Sequence, residues 1–273
     1  MLLNSRLDPD WLKALSEIKA QAESLGIPFM VIGASARDIL LDASNISPIR
    51  ATRDVDLALE IASWDRFHEL KEALINTEVF KADSAMQRLI FEGYLPIDLV
   101  PYGAIEQTNS EISWPPDHAV QMSVVGMKDA FDSSLTLLLT ESPLLEINVA
   151  SASGIVLLKL LAWEDRKLET TKDAEDLYFI LRHYIDLGNQ EHLEANHVDL
   201  FEDIDTAHAR LLGRDLMGIC SSTTLSVVKS ILDRETDNST ESKLVRDMLP
   251  RHSEGDQYTF CLRLLTAMKA EIS

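Results

Sequence analysis

The sequence predicts an α+β chain in two lobes, with strands and helices together over residues 1–150 and helices alone over residues 151–273. Three observations carry that expectation. As far as about residue 150, short apolar runs and period-two alternation interleave with amphipathic stretches of helical spacing. Beyond Ser151 almost every segment has helical periodicity. And 273 residues are comfortable for two lobes but long for a single domain, with no repeat or low-complexity tether between them.

"DPDWLKALSEIKAQAESLG" opens the chain as a helix that Asp8 can cap, with Pro9 suited to its first turn and Gly26 to its end. "IPFMVIG" reads as a buried strand stopping at Gly33, and "SARDILLD" as a short helix after it. Residues 43–51 are loop-like. In "RDVDLALEI", Val55, Leu57, Leu59 and Ile61 fall on one face of a strand, and Asp54, Asp56, Ala58 and Glu60 on the other. "SWDRFHELKEALI" is an amphipathic helix capped by Ser63. "QRLIFEGYLPIDLVPYG" is a strand, a turn around Gly93 and a second strand carrying Asp98, with Pro96 at its start or at an edge position. Strand-like segments continue to residue 150, among them "QMSVVG", "LTLLL" and "LLEINVA". Helices are then expected at 151–167, 171–186, 202–217, 223–235, 240–249 and 256–271.

Apolar residues at 46% and charged residues at 26% allow a sizeable core. The longest apolar runs, such as "IVLLKLLAW", are too short to span a bilayer, and "MLLNSRLDPDW" has neither the basic flank nor the apolar segment of a signal peptide. No membrane partner is expected. Cys220 and Cys261 stand far apart without a CxxC pattern and read as reduced core thiols, which fits a cytoplasmic protein. The net charge of −20, from 25 basic and 45 acidic side chains, works against non-specific binding to a polyanion. No basic run of the kind used as a nucleic-acid arm is present. The seven histidines lack metal-ligand spacing, and His192 and His197 fall in an expected polar loop.

Chemistry enters with Asp54 and Asp56. On a strand, residues two apart share a face at roughly 6–7 Å, and two carboxylates there need screening or a cation between them. One reading is a solvated strand face. The other is a shell of oxygen ligands for Mg²⁺, which protein carboxylates often share with substrate phosphates. Asp98, inside the apolar "LPIDLVP", sharpens the choice, because an unpaired carboxylate is costly to bury. If its strand lies beside that of Asp54 and Asp56, three carboxylates converge, and two ions about 4 Å apart would suit in-line phosphoryl transfer. The bland alternative pairs Asp98 with an arginine such as Arg88.

In "VIGASARDIL" a strand stops at a small residue and turns into a helix, offering backbone N–H groups and a dipole end to an anion. Gly33 permits close approach, and the Ser35 hydroxyl can donate to a phosphate oxygen. Arg37 and Arg53 flank these segments and could neutralise carboxylates structurally or hold phosphates bidentately.

The order "IGAS", "DVDL", "IDLV" resembles the DNA polymerase beta-type nucleotidyltransferase superfamily, and "GASARDILL" resembles the "GGAVRDLLL" pattern of tRNA-CCA-adding enzymes, with Ala34 in place of the second glycine. "LLKLLAWEDRKLETTKDAEDLYFIL" is similar to the helical-lobe motif of AbiEii-type nucleotidyltransferases, where a lysine precedes an Arg/Lys-Asp-x-x-Asp-Leu run; here these are Lys159 and "KDAEDL". Together the resemblances cover about residues 28–181. They imply a nucleotidyltransferase-type mixed β-sheet lobe and transfer of a nucleoside monophosphate from an NTP, such as ATP, with two Mg²⁺ ions. By position, Asp54, Asp56 and Asp98 would be the metal-binding and catalytic acids, joined in catalysis by Lys159 and Asp173. Gly33, Ser35, Arg37 and Arg53 would bind the nucleotide. Some members are toxins of toxin–antitoxin systems, which implies a possible antitoxin partner.

The residues of the second motif can be read by themselves. Lys159, Trp163 and Arg166 share a helix face and could offer charge and a stacking surface to a nucleotide. Equally, Lys159 could pair with an acid to join elements, Asp173 could bridge, and Trp163 could be core. Asp173 and Asp176 share a face, with Ala174, Leu177, Tyr178 and Leu181 as the buried stripe. The acceptor is left open between tRNA, a protein and a small molecule of the antibiotic type. A non-catalytic relative that binds nucleotide or a partner is a further alternative.

Overall fold

The computed structural model describes residues 7–46, 52–237, 239–250 and 255–272. The fold is α+β, and the chain divides into two compact units, residues 1–151 and 152–273. No helix among the described residues is long and apolar enough to cross a membrane.

The first unit begins with α1 (Pro9–Ser24), β1 (Phe29–Ile32), α2 (Gly33–Ala43), β2 (Val55–Glu60) and α3 (Trp64–Ile75). Asp8 accepts from the Asp10 N–H at the start of α1, and Ser63 accepts from the Arg66 N–H at the start of α3. Next come β3 (Phe80–Ala82), β4 (Arg88–Phe91), β5 (Leu95–Tyr102), β6 (Glu111–Trp114) and β7 (Val120–Ser123). The unit closes with α4 (Met127–Asp132), β8 (Leu135–Glu141) and β9 (Leu144–Val149). Seven strands form one mixed sheet in the order β3-β4-β5-β2-β1-β9-β8, while β6 and β7 pair separately. β2 therefore lies inside the sheet, antiparallel to β1 and parallel to β5. All four residues of β1 are buried, and Val55, Leu57, Ala58 and Leu59 are sealed as well, which is why β2 can carry polar groups only near its ends.

The second unit contains α5 (Ala152–Arg166), α6 (Lys172–His183), α7 (Gln190–Asn196), α8 (Ile204–Ile219), α9 (Ser222–Glu235), α10 (Lys243–Met248) and α11 (Gly255–Ala270). α5 packs on α6 and α8, and α8 lies along α11. The last contact is close: a Cβ on Gly213 would sit 2.3 Å from the Met268 carbonyl oxygen.

Several expectations need correction. The strand expected through "QMSVVG" ends at Ser123, because Gly126 turns the chain at φ 78° into α4. The helix expected to reach residue 186 ends at His183, before a kink at Gly188 (φ 91°), and α7 occupies part of the expected loop. Tyr178 is only half-buried, whereas Asp173 and Asp176 belong to the sealed face of α6. Cys261 is a core thiol, pushed up to about 12 by burial, but Cys220 is half-exposed. Residues 47–51 of the expected loop lie outside the described residues.

Candidate active site

Asp56 and Asp98 are register partners on the parallel strands β2 and β5. Asp54 lies two residues before Asp56, on the bend that leads into β2. Each of the three offers a carboxylate oxygen within 4.8 Å of the others, and all three side chains are half-buried. Like charges facing one another across a strand pair are unfavourable in themselves. Their cause is topological: the central strand and its neighbour reach the same edge of the apolar sheet at the same register.

The turn after β1 completes this edge. Ile32 pairs with Asp56 in the antiparallel register, so the chain reverses into α2 directly beside the carboxylates. Gly33 has φ 65°, and a Cβ there would lie 2.4 Å from Asp56 Oδ2. Glycine is thus demanded twice, by backbone conformation and by the approach of the carboxylate. The N-cap of α2 is Ile32, whose side chain has no acceptor, and the first-turn N–H groups lie at the end of a helix suited to an anion.

Ser35 serves differently from the expected phosphate donor. It is fully buried; its hydroxyl donates to the Ile32 carbonyl at 2.9 Å and accepts from the Asp56 N–H at 3.2 Å. The hydroxyl ties the turn to the strand of Asp56, and its proton is already committed. Arg37 is also buried, with Nε and Nη2 donating to Asp38 Oδ1 at 2.9 and 2.7 Å. Thr52 Oγ donates to Asp38 Oδ2 at 2.6 Å, so this group anchors the segment leading into Asp54. Arg53 is exposed, next to Asp54.

Arg88 and Asp98 do pair. Nε donates to Oδ1 at 2.7 Å and Nη2 to Oδ2 at 2.6 Å, a two-pronged grip from the neighbouring strand β4. The hydrogen bonds it donates to Asp98, with the nearby charges of Asp98 and Asp54, hold the Arg88 guanidinium firmly protonated. The ion pair and the acidic triad, posed as alternatives by the sequence, coexist.

In the second unit, Lys159 is buried between two acids, 3.0 Å from Asp173 Oδ1 and 2.8 Å from Asp176 Oδ2. Arg166 donates to both oxygens of Asp173, at 2.6 and 2.9 Å. Burial pushes the Asp173 carboxyl up, but Arg166 and Lys159 together hold it below the ordinary range. Trp163 is no stacking platform: it is fully buried, and its indole N–H donates to Asp247 at 2.9 Å. The motif therefore fastens α5 to α6 through opposite charges.

One cluster escaped the sequence. His192, on α7, lies 3.1 Å from Asp215, and with His197 offers atoms within 4.8 Å of one another. Arg214 donates to His197 Nδ1 at 2.9 Å, and the Tyr184 hydroxyl donates to Asp215 Oδ2 at 2.5 Å. That neighbouring guanidinium opposes a dication, and the cluster is satisfied by its own hydrogen bonds.

The matches to known proteins define first the class, which is that of the nucleotidyltransferases. The family described as "Nucleotidyl transferase AbiEii toxin, Type IV TA system" matches residues 47–259, and the chain belongs to it. No curated protein matches the chain. Among solved structures it is similar to the antibiotic-resistance factor ANT(2'')-Ia in solution, at 14% identity over 72% of this chain and 97% of that one, with a TM-score of 0.38. It is similar also to an antigenic nucleotidyltransferase-like protein from Paracoccidioides brasiliensis, at 19% identity over 74% and 94% of the two chains, with a TM-score of 0.44. A CCA-adding enzyme in complex with ATP is 14% identical over 94% of this chain and 66% of its own, with a TM-score of 0.35.

Proposed function

We propose that the chain transfers a nucleoside monophosphate from an NTP to an acceptor hydroxyl, with Mg²⁺ held by Asp54, Asp56 and Asp98. The observation that carries this reading is the convergence of three carboxylate oxygens within 4.8 Å beside the start of α2. The donor set fits the ion, since Mg²⁺ prefers hard oxygen ligands and is commonly shared between carboxylates and phosphates. Bound there, as one ion or two, Mg²⁺ would neutralise phosphate charge and favour the ionised acceptor oxygen.

The chain's own residues supply the rest. The N–H groups of the turn at Gly33–Ser35 seat the phosphates, and the exposed Arg53 adds a guanidinium beside them. Ser35 and Arg37 act by holding the turn and the approach to Asp54 in place. Asp98 accepts the proton of the acceptor hydroxyl or completes one ion's shell. The roles given to Lys159 and Asp173 are to fix the helices that carry them. Family membership supports a toxin paired with an antitoxin; the first reading gives it a cytoplasmic tRNA or protein as acceptor. The net charge of −20 favours a second reading, a small cationic acceptor.

Incubation with each α-labelled NTP, Mg²⁺ and cell extract tests the proposal. Label should appear in RNA, in protein or in a small molecule, and its carrier decides between the two readings. Absence of label from every acceptor with all four NTPs would contradict both.

A further inference from the structure

The two-pronged grip of Arg88 on Asp98 has a consequence for metal entry. Both oxygens of Asp98 already accept a hydrogen bond from the same guanidinium. A carboxylate gripped this way presents its remaining lone pairs, and a dication reaching them meets a like charge bonded to the same group. The pair is not sealed: the Arg88 side chain is 34% exposed and that of Asp98 16%. Its geometry is preset by the hairpin, because Arg88 and Asp98 are register partners and the connecting turn is fixed at Glu92 and Gly93 (φ 46° and 84°). Arg88 is thus held close to Asp98 whether or not the two are bonded.

We propose that Arg88 is a tethered competitor of the metal, gripping Asp98 in the metal-free protein and yielding it when the ion binds. The proposal rests on the reading that the acidic triad holds the ion. Arg88 is in these terms a positioning residue. By occupying Asp98 it sets the metal concentration at which the site fills. Lysine at this position would keep the charge but lose the grip, because an ammonium cannot donate two parallel bonds along the carboxylate plane.

Calorimetric titration of the full chain with Mn²⁺ alone, without nucleotide, tests this. For Arg88→Gln the dissociation constant should fall about tenfold or more, since a unit charge beside the site is removed. The melting temperature of the metal-free variant should drop, and saturating Mn²⁺ should raise it further than it raises that of the wild type. Arg88→Lys should bind with intermediate affinity, and it decides the matter if the glutamine variant fails to fold. A dissociation constant for Arg88→Gln, or in that event Arg88→Lys, equal to or weaker than the wild-type value would overturn the proposal. If wild-type binding is lost in Asp56→Ala yet unmoved by either Arg88 variant, the triad reading stands and only this inference falls. If neither the wild type nor the Arg88 variants bind Mn²⁺, both fall.

Discussion

Asp54, Asp56 and Asp98 converge half-buried at a sheet edge, where one guanidinium, that of Arg88, holds Asp98, whereas Asp173 and Asp176 are buried in the helical unit around Lys159, with Arg166 on Asp173 as well. In the second group each acid has a cation at hydrogen-bond distance, so burial costs are offset inside the fold. In the first, two carboxylates face one another in register across β2 and β5, an arrangement that folding alone disfavours. Opposite charges packed together read as architecture. Like charges held together by a rigid sheet read as a place for something positive. The contrast is the reason for proposing different roles for two motifs of equal prominence in the sequence.

The contrast breaks most visibly at Asp56. Asp56→Ala should lower nucleotidyl transfer by about 10³-fold or more, while the melting temperature of the metal-free protein holds or rises through relief of carboxylate repulsion. Full activity in a folded variant would remove Asp56 from the chemistry. Gly33→Ala strikes the same edge from the turn. A Cβ would meet Asp56 Oδ2, so activity should fall about 100-fold, with about 1–3 kcal/mol of stability lost in urea unfolding.

Lys159→Met should behave in the opposite way, as a stability lesion. It removes the buried cation that Asp173 and Asp176 share and should cost about 3–5 kcal/mol in urea unfolding. Unchanged stability with lost activity would move Lys159 from architecture to catalysis. A smaller effect is expected from pH. The folded Asp173 carboxyl sits below its unfolded value, so its stabilising contribution is complete above the ordinary aspartate range and fades as pH falls through the depressed value. Urea midpoints measured from about pH 5 downward should decline more steeply in the wild type than in Asp173→Asn.

Much of this was legible in the sequence because period and punctuation are local. Asp8, Ser63 and Gly93 mark their caps and turn, and the alternation in "RDVDLALEI" places Asp54 and Asp56 on the face where they stand. Short elements escaped: β3 has three residues, α4 six and α7 seven, too few for a period to register. Partners were harder than positions. Arg88 was recognisable as a candidate for Asp98, yet only the hairpin register shows the pairing. Nothing in "GAS" tells that the Ser35 hydroxyl turns inward to Ile32 and Asp56, because that depends on a strand 21 residues away in sequence. The chemistry of Trp163 was hidden for the same reason, since its indole partner Asp247 lies on α10.

The most direct measurement is a calorimetric titration of the full chain with a non-hydrolysable NTP analogue, with and without Mg²⁺, for the wild type and for Asp56→Ala. Saturable binding that requires Mg²⁺ and disappears in the variant is the result expected from an acidic triad built to hold a cation against a triphosphate. Equal binding by both proteins, or binding by neither, would contradict it.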